Sequence, residues 1–123
     1  MKSFLEALDE RVLVCDGAMG TMLYAKGIFI NRCFDALYTT EPNVVAKVHD
    51  DYVRAGAEVI ETNTFGSTDL VLAEYDLHSQ AHTITLKAAQ LARSAADKFN
   101  TPERPRFVAG SMGPTTKEIS LTG

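Results

Sequence analysis

The sequence has no tryptophan, only two cysteines and no long apolar run. Cys15 and Cys33 do not form a CxxC pair, so the pattern predicts neither a disulfide framework nor a zinc knuckle. Two unpaired cysteines are typical of the reducing cytoplasm, which is the expected location. No segment approaches the roughly 20 apolar residues of a membrane span, and the acidic N-terminus lacks the apolar core of a signal peptide. We therefore expect no membrane partner.

Basic side chains are also in the minority. The chain carries 12 Lys plus Arg against 16 Asp plus Glu, and its net charge is −4. Without a basic patch there is no electrostatic footprint for nucleic acid, which we exclude as a partner. A hydrophobic share of 46% and a charged share of 23% are typical of globular proteins. Residues 1–123 are thus expected to form one domain or part of one.

Short apolar segments alternate with segments of helical periodicity. Strands are predicted at 11–15, 57–60 and 106–109. The predicted helices comprise a short one opened by a Ser3–Glu6 capping box, one at 18–26, one capped by Thr40 and closed by Gly56, and one with a buried face from Ala81 to Phe99. Residues 28–39 are expected to be irregular. This alternation predicts an α/β fold with parallel strands.

Each predicted strand runs into a polar segment: CDGAMGT, ETNTFGST and GSMGPTT. Ligands of parallel α/β proteins bind beyond the carboxyl ends of the strands, so the three segments predict one shared site. The alternatives are a simple Asp-Gly turn in the first segment, helix or loop capping by Thr and Asn in the second, and turn geometry set by two glycines and a proline in the third. Three strands leave open sheet edges, and we expect the sequence to be the front part of a larger sheet.

The histidines and cysteines give no catalytic or metal-binding prediction. His78 and His82 have i, i+4 spacing, but Ser79 stands where an HExxH motif needs glutamate, so a solvated helix end is expected. For His49 we expect exposure or a partner contact. Cys15 is expected to be a packed small apolar group, and Cys33 has no neighbours typical of an activated thiolate.

The three strand-end segments resemble those of the homocysteine S-methyltransferase family. The matching segments are LVCDGAMGTM at 13–22, AGAEVIETNTFG at 55–66 and VAGSMGPT at 108–115, which together span nearly the whole chain. The resemblance implies the first ~3 βα units of a (β/α)8 TIM barrel. It also implies binding of L-homocysteine, whose zinc-activated thiolate accepts a methyl group to give methionine.

The resemblance places the zinc-ligating cysteines on later strands of the barrel, so Cys15 and Cys33 receive no metal role. Residues 1–123 alone are therefore expected to lack zinc and catalysis. In cobalamin-dependent members the methyl group comes from methylcobalamin, recharged from methyltetrahydrofolate, which implies cobalamin- and folate-binding modules as partners in the parent protein. Members fused to methylenetetrahydrofolate reductase share this pattern, so the donor stays open. A non-catalytic ligand-binding module of three βα units and a sugar-phosphate barrel are the alternative functions.

Within this family frame, we expect the following roles for the strand-end residues. Asp16 accepts a hydrogen bond from the substrate amino group or orders its loop, with Glu61 as the alternative amine partner. The backbone that binds the substrate carboxylate consists of Gly17, Ala18, Met19, Gly20 and Thr21. The remaining pocket walls are formed by Thr62, Asn63 and Thr64, with Phe65 nearby, and by Gly113, Pro114 and Thr115.

Overall fold

The computed structural model describes residues 1–29 and 32–115 of the chain. It has an α/β fold with a parallel sheet of two strands, β1 (Val59–Glu61) and β2 (Phe107–Ala109). Val59 pairs with Phe107, and the register continues to the last residue of each strand. Both strands therefore end at the same edge, as the parallel arrangement predicts.

The first predicted strand lies beside β1 but does not form a regular ladder with it. Its single bridge joins Cys15 to Val59, and the Asp16 N–H donates to the Val59 carbonyl at 2.9 Å. Further back, the Val14 N–H donates to the Glu58 carboxylate at 3.0 Å instead of to a strand carbonyl. This side-chain acceptor interrupts the ladder, so the predicted three-stranded sheet is not complete in the described residues.

Six helices and three 3₁₀ turns surround these strands in the described ranges. The helices are α1 (Phe4–Glu10), α2 (Gly20–Ala25), α3 (Leu37–Thr40), α4 (Pro42–Ala55), α5 (Asp69–Leu72) and α6 (Ala81–Asp97). The 3₁₀ turns are Phe34–Ala36, Ala73–Tyr75 and His78–Gln80. The predicted capping box is confirmed, because the Ser3 hydroxyl accepts from the Glu6 N–H and the Glu6 carboxylate accepts from the Ser3 N–H. None of these helices is long and apolar enough to cross a membrane.

Two helix boundaries differ from the prediction. Helix α2 begins at Gly20 and not at residue 18, so residues 18 and 19 belong to the loop that follows the first predicted strand. The segment predicted to be irregular contains α3, which runs through Thr40. Thr40 is therefore not the N-cap of α4; Glu41 occupies that position, and Pro42 supplies the preset backbone of the first turn. Gly56, with φ of +120°, closes α4 as predicted.

The core lies between the long helices and the sheet. Val53 of α4, Ile60 of β1, and Ala95 and Ala96 of α6 are all buried in one cluster. The alanines allow the α6 backbone to approach β1 closely. A second cluster, under the first strand end, comprises Leu23, Ile28, Leu37, Val45 and Val48. This packing fixes the positions from which the strand-end loops extend.

Candidate ligand-binding site at the strand ends

A cavity of about 580 Å³ lies at the carboxyl ends of the strands. Ten of the fourteen predicted site residues line it: Asp16, Gly17, Ala18, Met19, Gly20, Glu61, Thr62, Asn63, Thr64 and Phe65. The cavity also includes four residues that were not predicted: Phe34, Asp35, Gly66 and Ser111. The other four predicted residues, Thr21, Gly113, Pro114 and Thr115, are not among its lining residues. The first two polar segments predicted from the sequence therefore contribute most of the residues that line the cavity.

Asp16 uses one carboxylate oxygen for the scaffold and leaves the other without a partner. Its Oδ2 accepts from the Glu61 N–H at 3.1 Å. Its Oδ1 is buried and has no hydrogen-bond donor among the described residues. Burial raises the pKa of Asp16 to about 6, and the nearby Glu61 charge acts in the same direction. A buried acceptor without a donor is costly unless a ligand supplies one.

Tyr52 of α4 supports the loop that follows Asp16. Its hydroxyl donates to the Ala18 carbonyl at 2.6 Å. Gly17 lies so close to the ring that a Cβ there would be 3.0 Å from the Tyr52 oxygen. No described residue accepts a hydrogen bond from the backbone N–H groups of residues 17–20. Tyr52 therefore stabilises the conformation of this loop, whose backbone N–H groups remain available as donors.

The hydroxyls of Thr62 and Thr64 form a closed ring of hydrogen bonds with Ser111. The Ser111 N–H donates to Thr62 Oγ1 at 3.0 Å, and the Thr64 hydroxyl donates to the Ser111 carbonyl at 2.7 Å. Since each hydroxyl has one proton, Thr62 is the donor in its 2.6 Å contact with Thr64. Both hydroxyl protons are thus used in joining the ends of β1 and β2.

The 3₁₀ turn at Phe34–Ala36 holds the loop after β1 from its other side. The Asp35 Oδ1 accepts from the Gly66 N–H at 3.0 Å, and the Phe34 carbonyl accepts from the Asn63 amide at 2.7 Å. Burial raises the pKa of Asp35. This contribution was missed because the segment was expected to be irregular; the only signal was an acid between the apolar residues Phe34 and Leu37.

Gly113 supports the site from behind the Phe65 wall. Its N–H donates to the Phe65 carbonyl at 3.0 Å, and a Cβ at this position would lie 2.9 Å from the Phe65 Cδ1 atom and overlap its carbonyl oxygen. Phe65 itself is 63% exposed. Pro114 and Thr115 are exposed beyond this contact, and Thr116, the last residue of the predicted segment, lies outside the described residues.

The cavity has an acidic lining. Asp16, Asp35 and Glu61 contribute carboxylates, and none of the described lining residues is Lys, Arg or His. A cavity lined by one sign of charge attracts the opposite sign. The site is therefore suited to a ligand that carries an ammonium group, with the backbone donors of residues 17–20 available for an anionic group.

The expectations for cysteine and histidine hold only in part. Cys15 is exposed, and not packed as predicted; its backbone makes a single bridge to Val59 at the side of the incomplete ladder. His49 is fully buried, which corrects the expected exposure: it stands one helical turn from both Val45 and Val53 on the buried face of α4. His78 and His82 are exposed, as expected.

The described residues do not offer a metal centre. No group of three or more His, Cys, Asp or Glu side chains in these ranges is placed to hold a metal ion. Burial also raises the pKa of the Cys33 thiol, which opposes the thiolate form that zinc requires. These residues therefore do not fit a zinc site of their own.

A parallel α/β fold with a pocket at the carboxyl ends of its strands defines the broad class of α/β ligand-binding proteins and enzymes. The sequence model of one family, homocysteine S-methyltransferase, matches residues 13–122. The chain belongs to this family, and the resemblance stated from its strand-end segments is confirmed.

Individual relatives agree with this assignment. Methionine synthase of Mycobacterium tuberculosis is 40% identical over 95% of this chain, and so is that of Mycobacterium leprae. The chain spans 10% of the length of each. The metallated form of the Escherichia coli homocysteine methyltransferase MmuM superposes with a TM-score of 0.78 at 32% identity, covering 89% of this chain and 40% of that one. The apo form of MmuM gives a TM-score of 0.62 at 29% identity.

Proposed function

We propose that residues 1–123 supply the L-homocysteine-binding part of a homocysteine S-methyltransferase that forms methionine. The family match over 13–122 supports this assignment. The likeness to MmuM, over 40% of that chain, supports the further proposal that residues 1–123 form the first ~3 βα units of a (β/α)8 barrel. Transfer of a methyl group to the homocysteine sulfur is the proposed activity of the parent protein.

The observation that carries the binding proposal is the buried, unpartnered Oδ1 of Asp16. An ammonium group placed in the cavity satisfies this oxygen, while Oδ2 keeps its bond to the Glu61 N–H. The carboxylate of the same amino acid binds the N–H groups of residues 17–20, which have no acceptor among the described residues. Phe65 covers the aliphatic part of the ligand. Thr62, Asn63 and Thr64 shape the wall, and their polar groups largely hold the loop.

The nucleophile in this proposal is the ligand's own sulfur, and zinc, when bound, stabilises its thiolate. Since the described residues do not fit a metal site, we place the zinc ligands elsewhere in the parent protein. Cobalamin- and folate-binding modules belong to the same proposal for the parent protein. In this proposal, residues 1–123 bind and orient the amino-acid end of the substrate.

Calorimetric titration of the full-length protein with L-homocysteine tests the proposal. We expect saturable binding that Asp16→Ala weakens about tenfold, because the variant removes a charge-assisted hydrogen bond. Asp9→Ala, which removes an exposed acid of α1, is the matched control and is expected to bind like the unmodified protein. Absence of binding in the unmodified protein contradicts the function, and equal affinity in Asp16→Ala removes Asp16 from the site.

A further inference from the structure

The Phe34–Ala36 turn contacts two of the loops that form the cavity. Gly20, at the start of α2, lies against the Phe34 ring, where a Cβ would approach within 3.4 Å. The Phe34 carbonyl accepts from Asn63, and the Asp35 carboxylate accepts from the Gly66 N–H. The turn that carries Asp35 thus lies between the start of α2 and the loop after β1.

We propose that Asp35 is a positioning residue, whose carboxylate holds residues 62–66 in the conformation that binds homocysteine. The proposal rests on the function proposed above, and assigns a role to a residue that the strand-end pattern did not include. Asp35 adds a carboxylate to the acidic lining, and its Oδ1 also accepts from the Gly66 N–H at 3.0 Å; the positioning role concerns this second contact, through which Asp35 acts on the loop.

The conformation of residues 62–66 depends on attachments at both ends of the segment, and the Asp35 hydrogen bond is one of them. At the start of the segment, Thr62 and Thr64 are joined to Ser111. At its end, the Gly66 N–H has Asp35 as its acceptor. Without that acceptor the partly buried N–H is left unsatisfied, and the Gly66 end of the segment loses its side-chain attachment. Phe65 lies between the two attachment points; it keeps the hydrogen bond from the Gly113 N–H to its carbonyl but loses the support of the neighbouring Gly66 attachment.

Gly66 is fitted closely to Asp35. A Cβ at this position would lie 2.9 Å from the Asp35 Oδ2 atom and 3.4 Å from Val71 Cγ1. A methyl group there separates the loop from the carboxylate without altering Asp35. Gly66→Ala is therefore a second, independent way of breaking the same contact.

The test compares Asp35→Ala with Asp35→Asn in the full-length protein. The asparagine keeps an oxygen that accepts from Gly66, whereas the alanine does not. We expect the Kd for L-homocysteine to rise about tenfold in Asp35→Ala and less than threefold in Asp35→Asn. Hydrogen exchange of the Gly66 amide is expected to accelerate at least about tenfold in the alanine variant and to be restored by asparagine. Asp9→Ala is the control for loss of an acid.

The outcomes separate the positioning role from the function on which it rests. If the unmodified protein does not bind L-homocysteine, the proposed function fails. If it binds and Asp35→Ala binds equally well, or if asparagine restores neither affinity nor exchange, the positioning role alone is overturned. Should Asp35→Ala not fold, Gly66→Ala decides. Because Gly66 also lines the cavity, a Kd raised about fivefold together with faster exchange of the residue 66 amide supports the role, and an unchanged Kd or unchanged exchange overturns it. Gly110→Ala, where a Cβ meets nothing within 4 Å, is its matched control.

Discussion

The Asp16 carboxylate accepts a hydrogen bond from the Glu61 N–H at 3.1 Å and thereby ties the loop after the first strand-like segment to the end of β1. Its second oxygen is buried without a donor among the described residues, and burial raises its pKa to about 6. One side chain therefore joins the first loop to the end of β1 and also presents an acceptor whose charge changes near pH 6.

The affinity for L-homocysteine is expected to depend on the ionisation of Asp16. The raised pKa means that Asp16 is ionised at pH 8 and becomes protonated as the pH falls through about 6. A protonated carboxyl cannot bind an ammonium group as an ion pair, so the affinity should decrease by up to about tenfold per pH unit below pH 6. Calorimetric titrations between pH 5 and pH 8 measure this slope.

Asp16→Asn separates this effect from other titrating groups, including the substrate thiol. The amide keeps the shape of the side chain but does not ionise. We expect weaker binding at pH 8 and a shallower decrease towards pH 5 than in the unmodified protein. Identical slopes in the two proteins contradict a role for Asp16 in binding the ammonium group.

The hydrogen-bond ring of Thr62, Thr64 and Ser111 is expected to contribute to stability. Thr62→Val keeps the volume but removes a hydroxyl that accepts from the Ser111 N–H and donates to Thr64. Leaving these two partners unsatisfied is expected to lower the free energy of unfolding by about 1–3 kcal/mol. Thr62→Ser keeps the hydroxyl and is expected to cost less. Urea denaturation compares the variants, and an equal loss in both argues that the lost methyl contacts, and not the ring, are responsible.

The site residues that could be predicted from the sequence are those that lie directly at the ends of predicted strands. Parallel strands bring their carboxyl ends to one edge, so Asp16 and Thr62 could be assigned to one pocket without knowing any contact. Asp35 and Tyr52 could not be found in this way. Asp35 lines the pocket from a 3₁₀ turn, and Tyr52 of α4 supports the loop at Ala18. Local periodicity does not reveal a side chain that supports a loop distant in sequence.

The fold itself was predictable as a parallel α/β arrangement, but not the details of its edges. Periodicity identified α4 and α6, because their buried faces repeat over three or more turns. It did not reveal that Glu58 captures the Val14 N–H and limits the first strand to a bridge. It also did not place His49 inside, since a histidine is compatible with either face of a helix.

His49 is expected to make the protein less stable in mild acid. Both of its ring nitrogens are buried without partners among the described residues, and burial lowers its pKa to about 4 despite the neighbouring Asp50. The unfolded chain therefore binds the proton more readily. Proton binding to the unfolded chain has no effect above about pH 6.5 and lowers the free energy of unfolding progressively as the pH falls towards 4, by about 3 kcal/mol in total.

Substitution of His49 by leucine tests this origin of the acid sensitivity. His49→Leu is expected to flatten the decrease in unfolding free energy between pH 6.5 and pH 4 and to be neutral or stabilising at pH 7.5, because two unpartnered polar atoms are removed. His82→Gln, which replaces an exposed histidine, is the matched control and should retain the decrease. An unchanged pH profile in His49→Leu contradicts the prediction.

Gly113 and Gly110 offer a direct test of how closely the third strand-end segment packs against Phe65. A Cβ at Gly113 would overlap the Phe65 carbonyl oxygen and approach the ring, whereas a Cβ at Gly110 meets nothing within 4 Å. Gly113→Ala is therefore expected to lower the unfolding free energy by about 1–3 kcal/mol and to weaken L-homocysteine binding, because Phe65 must move. Gly110→Ala should change both quantities little. Since neither glycine has a positive φ, backbone strain does not distinguish them, and equal effects of the two alanines in urea denaturation and calorimetry contradict close packing at Phe65.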